Sequence, residues 1–168
     1  YVPADAFGTK ISEYMQLMGD YDTPFVIDNS AAEKVTGGTG ADTLSSGGGN
    51  DVLVGNGGAD SLGGQSGRDK LNGGGGNDSL DGGLGNDALL GGTGKDTLTG
   101  GGGVDTFIFS ALTHSRAGAL RDVITDFAAG ADKIDFRGLL SSLTDAAGFV
   151  GQDAFSGAAG EVRFGVSG

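Results

Sequence analysis

From Gly37 to Ile108 the chain divides into eight consecutive nonapeptides without an insertion: GGTGADTLS, SGGGNDVLV, GNGGADSLG, GQSGRDKLN, GGGGNDSLD, GGLGNDALL, GGTGKDTLT and GGGGVDTFI. Position four is glycine in every unit, from Gly40 to Gly103. Position six is always aspartate: Asp42, Asp51, Asp60, Asp69, Asp78, Asp87, Asp96 and Asp105. Position eight is Leu44, Leu53, Leu62, Leu71, Leu80, Leu89, Leu98 and finally Phe107. A fixed period of this kind marks a repeat architecture, in which one unit cannot bury its apolar face alone and neighbours must stack. A flexible glycine-rich linker would not keep a leucine column in nine-residue phase.

The unit sets the element type. Six residues rich in glycine and aspartate make a turn, and three residues centred on position eight make a very short strand. So short a strand needs partners on both sides. In a coil of two strands, odd units form one sheet and even units the other, with position eight pointing inward from both. Leu44, Leu62, Leu80 and Leu98 then face Leu53, Leu71, Leu89 and Phe107 across a core one residue thick. Burial in so thin a core falls short of the entropy lost on ordering the backbone, so a ligand is expected to contribute.

The aspartates indicate which ligand. Stacking sets each unit beside the next but one, so Asp42, Asp60, Asp78 and Asp96 line one edge while Asp51, Asp69, Asp87 and Asp105 line the other. Carboxylates one strand spacing apart, with one histidine and no cysteine in the chain, make an all-oxygen site for a hard cation. Calcium suits flexible loops offering many oxygens, whereas magnesium demands a tight octahedron. Backbone carbonyls near Gly38, Gly40, Gly47, Gly49, Gly58, Gly67, Gly74, Gly76, Gly83, Gly85, Gly92, Gly94, Gly101 and Gly103 are expected to join the aspartates. Three adjacent pairs on each edge give about six complete sites. The net charge of −12 suits cations and argues against a nucleic-acid partner, which needs a basic stripe. Ion-bound carboxylates titrate low, so acid is expected to act like a chelator.

The unit matches GGxGxDxUx, and over Gly37 to Ile108 the chain resembles the calcium-binding RTX repeat proteins. The resemblance implies an all-β fold: a parallel β-roll, or two-sheet right-handed β-helix, of about eight nonapeptide repeats. Degenerate N-terminal coils and a C-terminal β-hairpin are expected to cap it. Departures are few, with Ser46 at position one and Asn56 and Gln65 at position two. The later stretches "RDVITDFAAGADKIDF" and "DAFSGAAGEVRF" resemble the segment C-terminal to the repeats in secreted serralysin-type metalloproteases. Similar endings occur in RTX lipases and in the repeat modules of alginate (mannuronan) C5-epimerases. These likenesses imply Ca2+ as cofactor, a secreted, extracellular bacterial protein, the type I secretion machinery and an attached catalytic domain as partners. The epimerase likeness adds an anionic polysaccharide, and an adhesin or surface-layer segment is a further reading of the repeats.

The chain is accordingly read as an N-terminal flank (1–36), a roll (37–108) and a C-terminal capping, secretion-associated region (109–168). In the first, Ile11, Tyr14, Met15 and Met18 lie at helical spacing before Gly19. "FVI" around Val26 and "KVT" around Val35 continue the nine-residue step backwards as degenerate coils, and Glu33 falls in the aspartate column. In the third, Val123, Ile124, Phe127, Ile134 and Phe136 alternate with acids across "AAGAD", the pattern of a hairpin, with Asp122 and Asp126 as candidate terminal ligands. The outward positions of the even sheet, including Val54 and Leu90, are expected to lie under one of the flanks.

Catalytic signatures are missing. There is no HExxH, "GQSGR" places Arg68 where a GxSxG motif needs glycine, and "GGTGKDT" lacks the hydroxyl residue of a phosphate loop. The one histidine, His114, has no partner motif. The chain alone reads as non-catalytic. No apolar run approaches the roughly 18 residues of a membrane span, and Tyr1 in place of a starting Met suggests a piece of a longer protein.

Overall fold

A computed structural model describes residues 25–111, 113–115 and 121–138. Twelve strands run in chain order: β1 (Phe25–Asn29), β2 (Lys34–Thr36), β3 (Thr43–Gly47), β4 (Val52–Gly57), β5 (Ser61–Gly63), β6 (Lys70–Gly75), β7 (Ser79–Gly85), β8 (Ala88–Thr93), β9 (Thr97–Gly103), β10 (Thr106–Ile108), β11 (Val123–Ile124) and β12 (Lys133–Asp135). They form two six-stranded sheets, ordered β1-β3-β5-β7-β9-β11 and β12-β10-β8-β6-β4-β2, and every pairing is parallel. The expected all-β parallel roll is therefore found, with odd and even units separated into different sheets.

Register follows from the period. Leu44 pairs with Leu62, Leu62 with Leu80 and Leu80 with Leu98 in one sheet; Leu53 pairs with Leu71, Leu71 with Leu89 and Leu89 with Phe107 in the other. All eight are buried, and with Val35, Phe109 and Ile124 they make one continuous core. A slip of one residue would turn the whole leucine column to solvent, so the alternation pins the stack.

The ladders run further than the three residues expected. Gly74 pairs with Gly92, and Gly83 with Gly101, so the glycine turns are themselves hydrogen-bonded from coil to coil. Stacking at that distance explains the glycine columns. Gly76 has φ 129°, and a Cβ there would overlap the carbonyl oxygen of Gly58 in the preceding coil. At position two, Asn56 and Gln65 hold φ of 74° and 70°, a region costly for L residues. Their side chains reach back to the earlier coils: Asn56 Nδ2 donates to the Gly37 carbonyl at 2.6 Å, and Gln65 Nε2 to Ser45 Oγ at 2.5 Å.

At the N-terminal end β2 continues the step, with Val35 buried opposite Leu53. In β1 the residue opposite Leu44 is Phe25, not Val26, and the register shifts again between Val26 and Asn29. One extra residue within β1, between Val26 and Asn29, accounts for this. The helical spacing at Ile11 to Met18 and the "DAFSGAAGEVRF" stretch lie outside the described residues.

The C-terminal end corrects the expected hairpin. β11 joins β9, with Ile124 opposite Leu98, and β12 joins β10, with Ile134 opposite Phe107. The reason lies in the spacing. Asp122-Val123-Ile124 and Asp132-Lys133-Ile134 each copy the D-x-U core of a unit, so they enter alternate sheets rather than pairing with one another. Rings close this end: Phe107 and Phe127 have centroids 6.1 Å apart, Phe109 and Phe136 5.8 Å. On the even sheet Val54 and Leu90 are half-buried.

Candidate metal centre

Each repeat aspartate sits immediately before a strand, where the chain leaves the glycine turn and enters the sheet. Its neighbour at position eight is locked in the core, so the carboxylate is fixed at the roll's edge. All eight are buried, from 0% exposed at Asp69 and Asp96 to 3% at Asp60 and Asp78. Burying so many carboxylates is costly unless each finds partners.

Half of each carboxylate has one. The Asp42 amide donates to Asp60 Oδ1 at 2.8 Å, Asp60 to Asp78 and Asp78 to Asp96 at 2.9 Å, and Asp96 to Asp122 at 3.0 Å. Along the other edge Glu33 donates to Asp51, Asp51 to Asp69 and Asp69 to Asp87, each at 2.8 Å; Asp87 donates to Asp105 at 2.9 Å and Asp105 to Asp132 at 3.0 Å. From Asp51 and Asp60 onward every ladder carboxylate thus reads the amide of the acidic residue one coil earlier, while Asp42, at the start of its edge, accepts the Gly38 amide through Oδ2 at 2.7 Å. The two edges are continuous ladders.

The other oxygen is left over. Oδ2 of Asp51, Asp60, Asp69, Asp78, Asp87 and Asp96, and Oδ1 of Asp42, are buried without a hydrogen-bond partner. From Asp60 to Asp96 these oxygens face bare glycine at position one: a Cβ on Gly82 would stand 2.6 Å from Asp87 Oδ2 and 2.7 Å from the Gly100 carbonyl oxygen. The same arrangement recurs at Gly55, Gly64 and Gly73. Glycine at position one therefore keeps open the space between a carboxylate and a carbonyl of the next coil. The expected carbonyls at positions two and four lie differently. Gly47 accepts the Ser66 amide at 3.0 Å, and the carbonyls of Gly40, Gly49, Gly58, Gly67, Gly76 and Gly85 face the position-four glycine of the next coil. Among the described residues no group of three carboxylates converges to hold an ion.

Electrostatics reports the same shortage. Burial, reinforced by charged neighbours at 18-residue spacing, pushes Asp69 and Asp78 up to about 6 despite the amide each accepts. Burial pushes Asp122 up to about 7, with Asp96 adding to it, and raises Asp60, Asp87, Asp96 and Asp105 as well. Without a bound ion these seven carboxyls therefore hold a proton more readily than free aspartates do. That reverses, for the ion-free chain, the low titration expected of ion-bound aspartates.

Of the two flanking acids named from sequence, Asp122 continues the ladder beside Asp96. Asp126 lies outside it and accepts the amides of Gly100 at 2.9 Å and Gly101 at 2.7 Å. The sequence reading missed Asp132, although its D-x-I spacing repeats that of Asp122. It also missed asparagine at position five: Asn50, Asn77 and Asn86 accept the amides of Arg68, Lys95 and Val104 one coil later at 2.8 to 2.9 Å. Their recurrence before the aspartate was the available signal.

Parallel coils with one inward apolar column and a buried carboxylate ladder on each edge define a β-roll module of the RTX repeat type. Residues 25–166 match the family described as Peptidase M10 serralysin C terminal, and the chain belongs to that family. No curated protein and no solved structure matches it.

Proposed function

We propose that the chain is a calcium-binding, calcium-folded, non-catalytic module of a secreted bacterial exoenzyme, supporting export by a type I system and extracellular stability of an attached catalytic domain. The observation that carries this reading is the row of buried, partnerless carboxylate oxygens. They form a hard, all-oxygen donor set, and those of Asp60, Asp69, Asp78, Asp87 and Asp96 face space that a side chain would fill. Asp42, Asp51, Asp60, Asp69, Asp78, Asp87, Asp96 and Asp105 would hold the ions, with Asp122 as the terminal member of its edge. Backbone carbonyls would complete each shell.

Bound calcium supplies positive charge to desolvated carboxylates. The chain's residues do the rest: leucines fix which aspartates meet, amides hold one oxygen of each, and glycines let the coils approach. At the low calcium of a cytosol the repelling ladders oppose stacking, while millimolar calcium outside permits it. The serralysin family supports the attached protease domain and the extracellular setting. Calorimetric titration with calcium and with magnesium tests this: several calcium ions are expected to bind, and no binding at millimolar calcium would remove the reading.

A further inference from the structure

We propose that Asp126, Asp132 and Ser115 take up the backbone amides that an interior coil would pair with a further full repeat, closing the last repeat with hydrogen bonds in place of bound calcium. This rests on the calcium reading of the repeat aspartates and separates these acids from them. In an interior coil the position-one amide donates to the position-nine carbonyl of the next coil, as Gly64 does to Asp81 at 2.9 Å. Gly100 has the same position in the last unit, and there Asp126 Oδ1 takes the amide while Asp126 Oδ2 takes that of Gly101. In an interior coil each aspartate amide donates to the aspartate of the next coil. At the end of one edge the Asp122 amide instead donates to Ser115 Oγ at 3.0 Å, and Ser115 is buried.

Among the described residues the other edge ends on Asp132. Its Oδ1 accepts the Asp105 amide at 3.0 Å and its Oδ2 accepts the Ala128 amide at 2.8 Å, the latter fixing the turn that feeds β12. Asp126 and Asp132 therefore differ chemically from the ladder aspartates Asp51 to Asp96. Both of their oxygens are occupied by amides, whereas each of those keeps one buried oxygen unmatched. A carboxylate is needed because two donors converge on it; asparagine offers one acceptor and turns its amide nitrogen toward the second donor.

The test compares Asp126→Asn, Asp132→Asn and Asp78→Asn in the full chain at saturating calcium. Bound calcium is counted by equilibrium dialysis, and amide exchange is followed by residue. Asp126→Asn is expected to retain the full ion count, to lose protection at Gly100 and Gly101, and to melt roughly 2–4 °C lower, the shift for about 1 kcal/mol lost with one of its two amide contacts. Asp132→Asn should do the same at Asp105 and Ala128, and it carries the test should Asp126→Asn not fold. A bound ion lost in either variant, or unchanged exchange at those amides, would overturn the proposal. An unchanged ion count in Asp78→Asn would instead remove the calcium reading of the ladder and leave the caps to be judged on exchange.

Discussion

Replacing Asp78 by asparagine should have opposite effects with and without calcium. Asp78 is 3% exposed, its Oδ1 accepts the Asp60 amide at 2.9 Å, and its Oδ2 has no partner. Holding this group charged at neutral pH when its carboxyl titrates at about 6 instead of 3.8 costs about 3 kcal/mol. Asparagine keeps the acceptor for Asp60 and removes the charge, but buries an unmatched NH2 group at a cost of about 1–3 kcal/mol. In chelator the variant should therefore be as stable as the parent or up to about 2 kcal/mol more stable. At calcium a hundredfold above its dissociation constant, losing one site should cost about 3 kcal/mol. Urea unfolding followed by far-UV circular dichroism reads both arms, with an excluded osmolyte added to the chelator arm to populate the folded state. Equal destabilisation in both arms would refute the reasoning, because it would make Asp78 an ordinary structural acceptor.

The pH response of the ion-free chain obeys the same logic. Folded carboxyls at Asp69, Asp78 and Asp122 titrate above the ordinary 3.8, so the folded state binds more protons; this stabilisation is complete below 3.8 and fades as pH rises through about 6 to 7. With the same osmolyte present, the urea midpoint in chelator should therefore rise as pH is lowered from 7 to 5, and a fall would contradict the burial argument. Leu80→Ala, at 1% exposure, should cost about 2–5 kcal/mol at saturating calcium, read as a lowered urea midpoint. Gly76→Ala should abolish the calcium-induced strand signal, because its Cβ would overlap the Gly58 carbonyl. Gly130→Ala should cost only about 1–2 kcal/mol, since φ of 92° is unfavourable there but nothing lies within 4 Å of the added carbon.

The period made the interior legible. Once Leu44, Leu53 and their successors fall nine apart, the sheet assignment of each unit, the inward column and the meeting of Asp42 with Asp60 come from geometry alone. The ends were harder because the same chemistry recurs there off-period. Asp122 and Asp132 lie ten residues apart, and their alternating apolar neighbours read equally well as a hairpin until the pairing of Ile124 with Leu98 and Ile134 with Phe107 decides it. Phe25 opposite Leu44 is a similar case, a single added residue that no local propensity announces. At the ladder, the column of aspartates was plain, but which oxygen would be occupied was not. That depends on amides 18 residues away, and so does the role of Asn50, Asn77 and Asn86.

The most direct measurement is far-UV circular dichroism of the chain through a calcium titration, with magnesium as the control and a strong chelator as the end point. If the partnerless oxygens of the two ladders hold calcium and the stack depends on it, strand signal should appear cooperatively with calcium, fail to appear with magnesium and vanish in chelator. A full strand signal that persists in chelator at neutral pH would contradict it.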